Sequence, residues 1–169
     1  YASALNDTIS HTVLLEDCLF RDNIASNFTG AAATLMRTTS TGYVQRCTFV
    51  GNQAYHCGGV AGLGTLLVSD SAFISNRSMK AAGAVGNAPG AIFLTEGSVD
   101  RCRFINNYGA LDGGAISVVG TATIRNSLFV GNEAGRWGGA IYIDAASPPY
   151  PQVQNCTIVY NAATVGGGI

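Results

Sequence analysis

Residues 102–116 read CRFINNYGALDGGAI, and the same order returns as SLFVGNEAGRWGGAI at 127–141 and CTFVGNQAYHCGGVA at 47–61. An internal repeat restricts a fold more tightly than any local propensity, because each unit must bury its apolar face against its neighbours. Setting the Phe-x-x-Asn units in register gives six copies, with Asn at Asn23, Asn52, Asn76, Asn107, Asn132 and Asn161. Three residues earlier stand Phe20, Phe49, Phe73, Phe104, Phe129 and Ile158. Five earlier stand Cys18, Cys47, Ser71, Cys102, Ser127 and Cys156, and eight earlier an aliphatic residue from Leu15 to Val153. Seven residues after each Asn comes a glycine: Gly30, Gly59, Gly83, Gly114, Gly139 and Gly168.

The period varies (29, 24, 31, 25 and 29 residues) while the motif inside it holds. A fixed core with elastic connections is what a coiled solenoid needs, since strands must stack in register and loops can grow outward. Cys/Ser-x-Phe alternates with period two, which turns both side chains to one side of a strand. Gly-Gly-Ala-Ile reads as a second short strand, and the aliphatic position as the start of a third. The expected fold is all-β, a right-handed parallel β-helix of about six coils of three short strands, stacked at ~4.8 Å. It spans 1–169 as a single domain and reads as a segment of a longer solenoid. A leucine-rich horseshoe lacks its leucine pattern and helices here. Stacking explains the motif: Cys/Ser and Phe form interior ladders, while Asn tolerates turn geometry and bonds the Asn above and below.

Composition agrees with this reading. Charged residues are 11% of the chain, less than half the usual share, and net charge is −1. That leaves no electrostatic case for nucleic acid or an anionic membrane. Gly numbers 22, with abundant β-branched and aromatic residues, which suits short strands and turns. No apolar run approaches the roughly 20 residues of a membrane-spanning helix.

Phe-x-x-Asn followed by Gly-Gly-Ala-Ile resembles the paired repeat of the chlamydial polymorphic outer-membrane proteins, and more broadly the right-handed parallel β-helix repeats of many secreted and surface proteins. The resemblance covers nearly the whole chain. It implies the fold and leaves function open, because such repeats serve adhesins, stalks, lyases and hydrolases alike. A hydrolase on this fold needs two or three carboxylates converging on one face. A lyase, as the resemblance implies, needs an acidic calcium site and a basic Arg or Lys.

The carboxylates mostly disperse when placed in register. The column before Cys/Ser reads Asp17, Arg46, Asp70, Arg101, Asn126, Asn155, an alternation suited to a salt-bridge ladder, and Asp100 lies one coil from Arg125. The expectation is therefore no catalytic residue, no metal site and no cofactor. His56 and Cys57 are adjacent and point apart on a strand, so a structural Cys is favoured over a Cys–His pair. Cys18 and Cys47 share a column within disulfide reach, and inward stacked thiols are the favoured state. Trp137 lies at a turn, as a sugar platform or, preferably, a packed corner.

One column lacks an interior explanation. After each Phe stand Arg21, then Val50, Ile74, Ile105, Val130 and Val159, which strand alternation turns outward. They form an apolar stripe ~20 Å long, of the kind that marks a partner interface, unless a bend buries it. Four N-x-S/T sequons, at Asn6, Asn27, Asn76 and Asn155, point toward secretion. Glycans are expected at Asn27 and Asn155, with Asn6 as a third site, and none at Asn76, whose amide belongs to the ladder. Neither end shows a polar cap, which suggests end-to-end self-association or further coils. The functional expectation is a non-enzymatic, glycosylated extracellular or cell-surface structural and adhesive protein, a fibre building block. Its partners would be a second copy, a lateral protein on the stripe, or a glycan or other cell-surface ligand. The alternative is a carbohydrate-active enzyme, a polysaccharide lyase or glycoside hydrolase, on the same fold.

Overall fold

The computed structural model describes residues 11–26, 32–35, 38–79, 87–144 and 148–169. Among these residues all regular structure is β, and every strand pair is parallel. The chain winds through three sheets of eight, six and five strands, each ordered by successive coils. It is a parallel β-solenoid of about four turns, fewer than the six coils counted from the motif. Asn52, Asn76, Asn107 and Asn132 sit in the buried interior of the stack, whereas the units of Asn23 and Asn161 form its more exposed ends.

The first sheet holds the longest strands, among them Val60–Ser69, Ile92–Asp100 and Ile116–Arg125. In these coils the Gly-Gly-Ala positions stand before the strand, which starts at the next residue (Val60, Ile92 or Ile116) and runs on through the aliphatic position, so one strand replaces the two expected. Elsewhere the row is interrupted: Ala33–Leu35 and Thr41–Gln45 both pair with Val60–Ser69, and Ile141–Ile143 and Gln152–Gln154 both pair with Ile116–Arg125. Period differences between coils are absorbed there and in the insertion between Asn76 and Gly90. The third strand, in the five units from Asn23 to Asn132, is the two-residue piece just after Asn, such as Gln53–Ala54 or Tyr108–Gly109.

The second sheet carries the Phe positions, in register from Phe20 to Ile158. The five rings stack nearly parallel, with centroids 4.6, 4.8, 5.0 and 4.7 Å apart. Phe49, Phe73, Phe104 and Phe129 are fully buried, so the strand repeat sets the ring spacing and each face is covered by its neighbour.

Each of these three-residue strands is bounded by two left-handed corners. Asp17, Arg46, Asp70, Arg101, Asn126 and Asn155 precede it with φ of 49–52°. Asp22, Gly51, Ser75, Asn106, Gly131 and Tyr160 follow it with φ of 53–66°. Asp, Asn and Gly tolerate this region best. The Cys/Ser side chain braces the first corner by donating to the carbonyl two residues back. Ser71 Oγ reaches Ser69 O at 2.7 Å, Ser127 Oγ reaches Arg125 O at 2.7 Å, and Cys102 Sγ reaches Asp100 O at 3.3 Å. Thiol and hydroxyl perform the same task, which is why they interchange along the column.

The glycine column differs from the sequence register. Val60 pairs with Ile92, which pairs with Ile116, which pairs with Ile141. This aligns Gly58 with Gly90, Gly114 and Gly139, and places Gly59 beside Ala91, Ala115 and Ala140. The Asn52 coil is one residue shorter at this turn than the Asn107 coil. Gly90, beyond the insertion, takes the position expected of Gly83; Gly83 and Gly30 lie outside the described residues. A Cβ on Gly58 would stand 2.4 Å from Gly90 O, and one on Gly114 would stand 1.9 Å from Gly139 O. Successive corners pack backbone on backbone here, leaving no room for a side chain.

Candidate functional site

The six ladder Asn stand one above another, and their bonding is directional. Asn52 Oδ1 accepts from the backbone N–H of Asn23 at 3.0 Å and from its Nδ2 at 2.8 Å. The same double contact joins Asn52 to Asn76, Asn76 to Asn107, Asn107 to Asn132, and Asn132 to Asn161. The second Nδ2 hydrogen goes to the Phe carbonyl of the previous coil, as from Asn107 to Phe73 at 2.9 Å. In buried Asn52, Asn76, Asn107 and Asn132, donors and acceptor are thus committed within the fold, with no capacity left for a substrate.

The charged column resolves into two bonded groups, with no bond between Arg46 and Asp70, rather than one continuous ladder. Arg46 grips Asp17 bidentately, at 2.8 and 3.0 Å, and also bonds Glu16. Arg101 grips Asp70 at 2.7 and 2.8 Å and bonds Asp100. Asp100 further accepts from Arg125 at 3.2 Å and Asn126 at 2.8 Å, so one network links three coils. Hydrogen bonding from Arg46 lowers the pKa of Asp17, and that from Arg101 lowers the pKa of Asp70. Burial works to raise Asp100, but the bonds from Asn126 and Arg125 and the charges of Arg101 and Arg125 outweigh it. A general acid needs its proton held near the working pH, and these carboxyls are held in the opposite direction.

Sequence reasoning missed the pairing of Asp112 with Arg136. Asp112 is fully buried, and Arg136 binds both its oxygens, Nε to Oδ1 at 2.8 Å. Asp112 aligns with Trp137, so the pair is diagonal between coils and appears only once the stacking is fixed. The Arg136 guanidinium lies 4.0 Å above the Trp137 ring, and Trp137 stacks on Tyr142 with centroids 5.8 Å apart. Arg136 and Tyr142 thus both contact the indole, which is 38% exposed.

Val50, Ile74, Ile105 and Val130 point outward in a row and are half-buried between neighbouring coils; Val159 is exposed. Cys57 is buried, with its thiol donating toward Val60 O and Ala91 O at 3.2 Å each. All five cysteines are free thiols, Cys18 and Cys47 included. Among the described residues no three His, Cys, Asp or Glu side chains converge as a metal site. Of the sequons, Asn76 is buried in the ladder and Asn155 is exposed at a corner, while Asn6 and Asn27 lie outside the described residues.

No curated protein and no solved structure matches the chain. A family model described as a right-handed β-helix region matches residues 10–169. Parallel sheets, stacked Phe and Asn columns and paired left-handed corners are the local features expected of such a coil. With nearly its full length matched, the chain belongs to the right-handed β-helix family.

Proposed function

We propose that the chain is a non-enzymatic structural and adhesive module of an extracellular or cell-surface protein, a rigid rod that presents its outer columns to partners. One observation carries this reading. The carboxylates that stacking brings closest to other coils, Asp17, Asp70, Asp100 and Asp112, are each bound by arginine. Such pairs close the sides of the rod and stiffen the joint between coils. Any of these four would have to be released from its arginine before it could serve in acid–base cleavage of a sugar chain. The outward stripe from Val50 to Val159 supplies apolar contact area of the kind used in protein association.

The test combines cleavage and binding on the same purified chain. It is incubated with uronic-acid and neutral polysaccharides while new reducing ends and unsaturated uronate absorbance are followed, and its binding to immobilised glycans and intact cells is measured. No cleavage is expected, together with surface binding that survives Asp70→Asn and Asp100→Asn. Cleavage abolished by either substitution would establish the enzymatic alternative instead.

A further inference from the structure

We propose that Asn155 is an N-glycosylation site of this protein, and that the sequon at Asn76 stays bare in the folded chain. The two triplets, Asn76-Arg77-Ser78 and Asn155-Cys156-Thr157, satisfy the same sequence rule. The coil stack treats them oppositely.

At Asn76 both hydrogens of the amide are in use. Nδ2 donates to Phe49 O at 2.9 Å and to Asn107 Oδ1 at 3.0 Å, and the residue is fully buried. The hydroxyl of the triplet is also consumed: buried Ser78 Oγ donates to Ala88 O at 2.6 Å and accepts from Ala110 N–H at 2.7 Å. A sugar on Nδ2 would replace one of those hydrogens and fill space held by a Phe carbonyl or the next Asn. Coils on either side could not close.

At Asn155 the geometry is permissive at both positions. Asn155 sits at a left-handed corner with φ of 49°, which throws its side chain off the stack, and it is exposed. Its amide makes no side-chain hydrogen bond among the described residues, unlike its column neighbour Asn126, which is tied to Asp100. Thr157 is exposed on the outer face of its strand, while Cys156 between them points inward and donates to Gln154 O. Amide and hydroxyl therefore face solvent together, with room for a branched sugar.

The transfer needs a polyprenyl-diphosphate-linked oligosaccharide. Asn155 Nδ2 forms a bond to the anomeric carbon, the carbon–oxygen bond to the diphosphate breaks, polyprenyl diphosphate leaves, and the displaced amide proton passes to base. No electron transfer is involved. Occurrence of the modification in nature rests on the extracellular reading above; the site preference rests on geometry alone.

The experiment expresses the whole chain behind a secretory leader in eukaryotic cells, with Asn6→Gln and Asn27→Gln so that only the two described sequons remain. Peptide mass spectrometry after enzymatic deglycosylation reads each Asn as a one-dalton shift on conversion to Asp. Occupancy is expected at Asn155 and none at Asn76 in secreted, folded protein. Thr157→Val should abolish the glycan and Thr157→Ser retain it, neither touching the corner residue itself. Bare Asn155 in secreted, folded protein, or sugar on Asn76 there, overturns the proposal. If the chain is not secreted, the same peptides are read from folded intracellular protein, with the same criteria. Because the route is imposed by the leader, a polysaccharide-cleaving result in the functional test leaves this outcome unaffected.

Discussion

Asn107 Oδ1 accepts two hydrogen bonds from Asn76, one from the backbone N–H at 3.0 Å and one from Nδ2 at 3.0 Å. Both bonds are consequential, because Asn76 is buried and its donors point into the ladder. Replacing Asn107 by Leu removes that acceptor and also the donor to Phe73 O. Two N–H groups of buried Asn76 are orphaned, the backbone one and one on its amide, at a cost of about 1–3 kcal/mol each, and the neighbouring Phe carbonyl loses its partner as well. Urea unfolding should show the loss. A neutral result would mean that water enters the column.

Gly114 tests the backbone-on-backbone corner. A methyl group there would stand 1.9 Å from Gly139 O and 2.7 Å from Glu133 N. Both contacts are to main chain, which cannot swing aside as a flexible side chain would. Gly114→Ala should therefore cost at least as much as severe overpacking, about 3 kcal/mol. Gly59→Ala, at the position where other coils carry Ala, meets Ala91 O at 2.4 Å and should also destabilise, because that contact is to main chain. Thermal unfolding of the two variants checks both statements.

How much of this was legible follows from what stacking demands of a sequence. A column buried on all sides must repeat the same residue, so Phe49 to Phe129 and Asn52 to Asn132 announced themselves, and the solenoid with them. The glycine column was misaligned because the turn between Asn52 and Gly58 is one residue shorter than that between Asn107 and Gly114, and counting from Asn cannot see a deletion. Left-handed corners were hidden for a different reason. Asp17, Arg46 and Asn126 share a backbone conformation without sharing a side-chain class, since hydrogen bonds from Ser or Cys and from the paired arginines support it. The Asp112–Arg136 pair runs diagonally between columns, and column-by-column reading passes over it.

That diagonal pair makes a further prediction. Asp112 has no exposed surface, and Arg136 is the cation that binds both its oxygens. Arg136→Ala would leave a buried carboxylate uncompensated, at a cost of about 3–5 kcal/mol. The double variant Arg136→Ala, Asp112→Ala should recover part of that loss, because the stranded charge is gone. Denaturant unfolding of the two singles and the double gives the coupling. A double variant no more stable than Arg136→Ala would assign the effect to lost packing on Trp137.

Acid stability follows from the lowered carboxyls. Asp70 and Asp100 titrate below their ordinary value in the folded chain, so the unfolded chain binds protons first as pH falls. Their contribution is complete above the ordinary Asp range, near pH ~4, and is lost as pH drops through the folded values. Arg101 touches both carboxylates. Arg101→Ala should lower stability above that range, modestly because the Arg101–Asp70 pair is solvent-exposed, and the gap from the parent should close as pH falls through the folded values. High salt should shrink the difference between variant and parent. A variant as stable as the parent at neutral pH, with the same pH profile, would remove Arg101 from the account.

Thiol reactivity separates the interior of the rod from its ends. Burial pushes the pKa of Cys57 and of Cys102 up to about 12. Against an ordinary thiol that rise of about three pH units leaves roughly a thousandfold less thiolate at pH 8, and both sulfurs are also sealed from reagent. Burial raises Cys47 as well, and it is equally enclosed. Cys18 and Cys156 occupy the same column at the first and last units and are only partly buried. Brief alkylation of the native chain at pH 8 should therefore modify Cys18 and Cys156 and spare Cys47, Cys57 and Cys102, with all five modified after unfolding. Mass spectrometry of the peptides reads each site. Rapid native labelling of Cys102, in the middle of the stack, would mean that the coils open individually; labelling of the three only in step with global unfolding would show that the ladders hold the rod together as one cooperative unit.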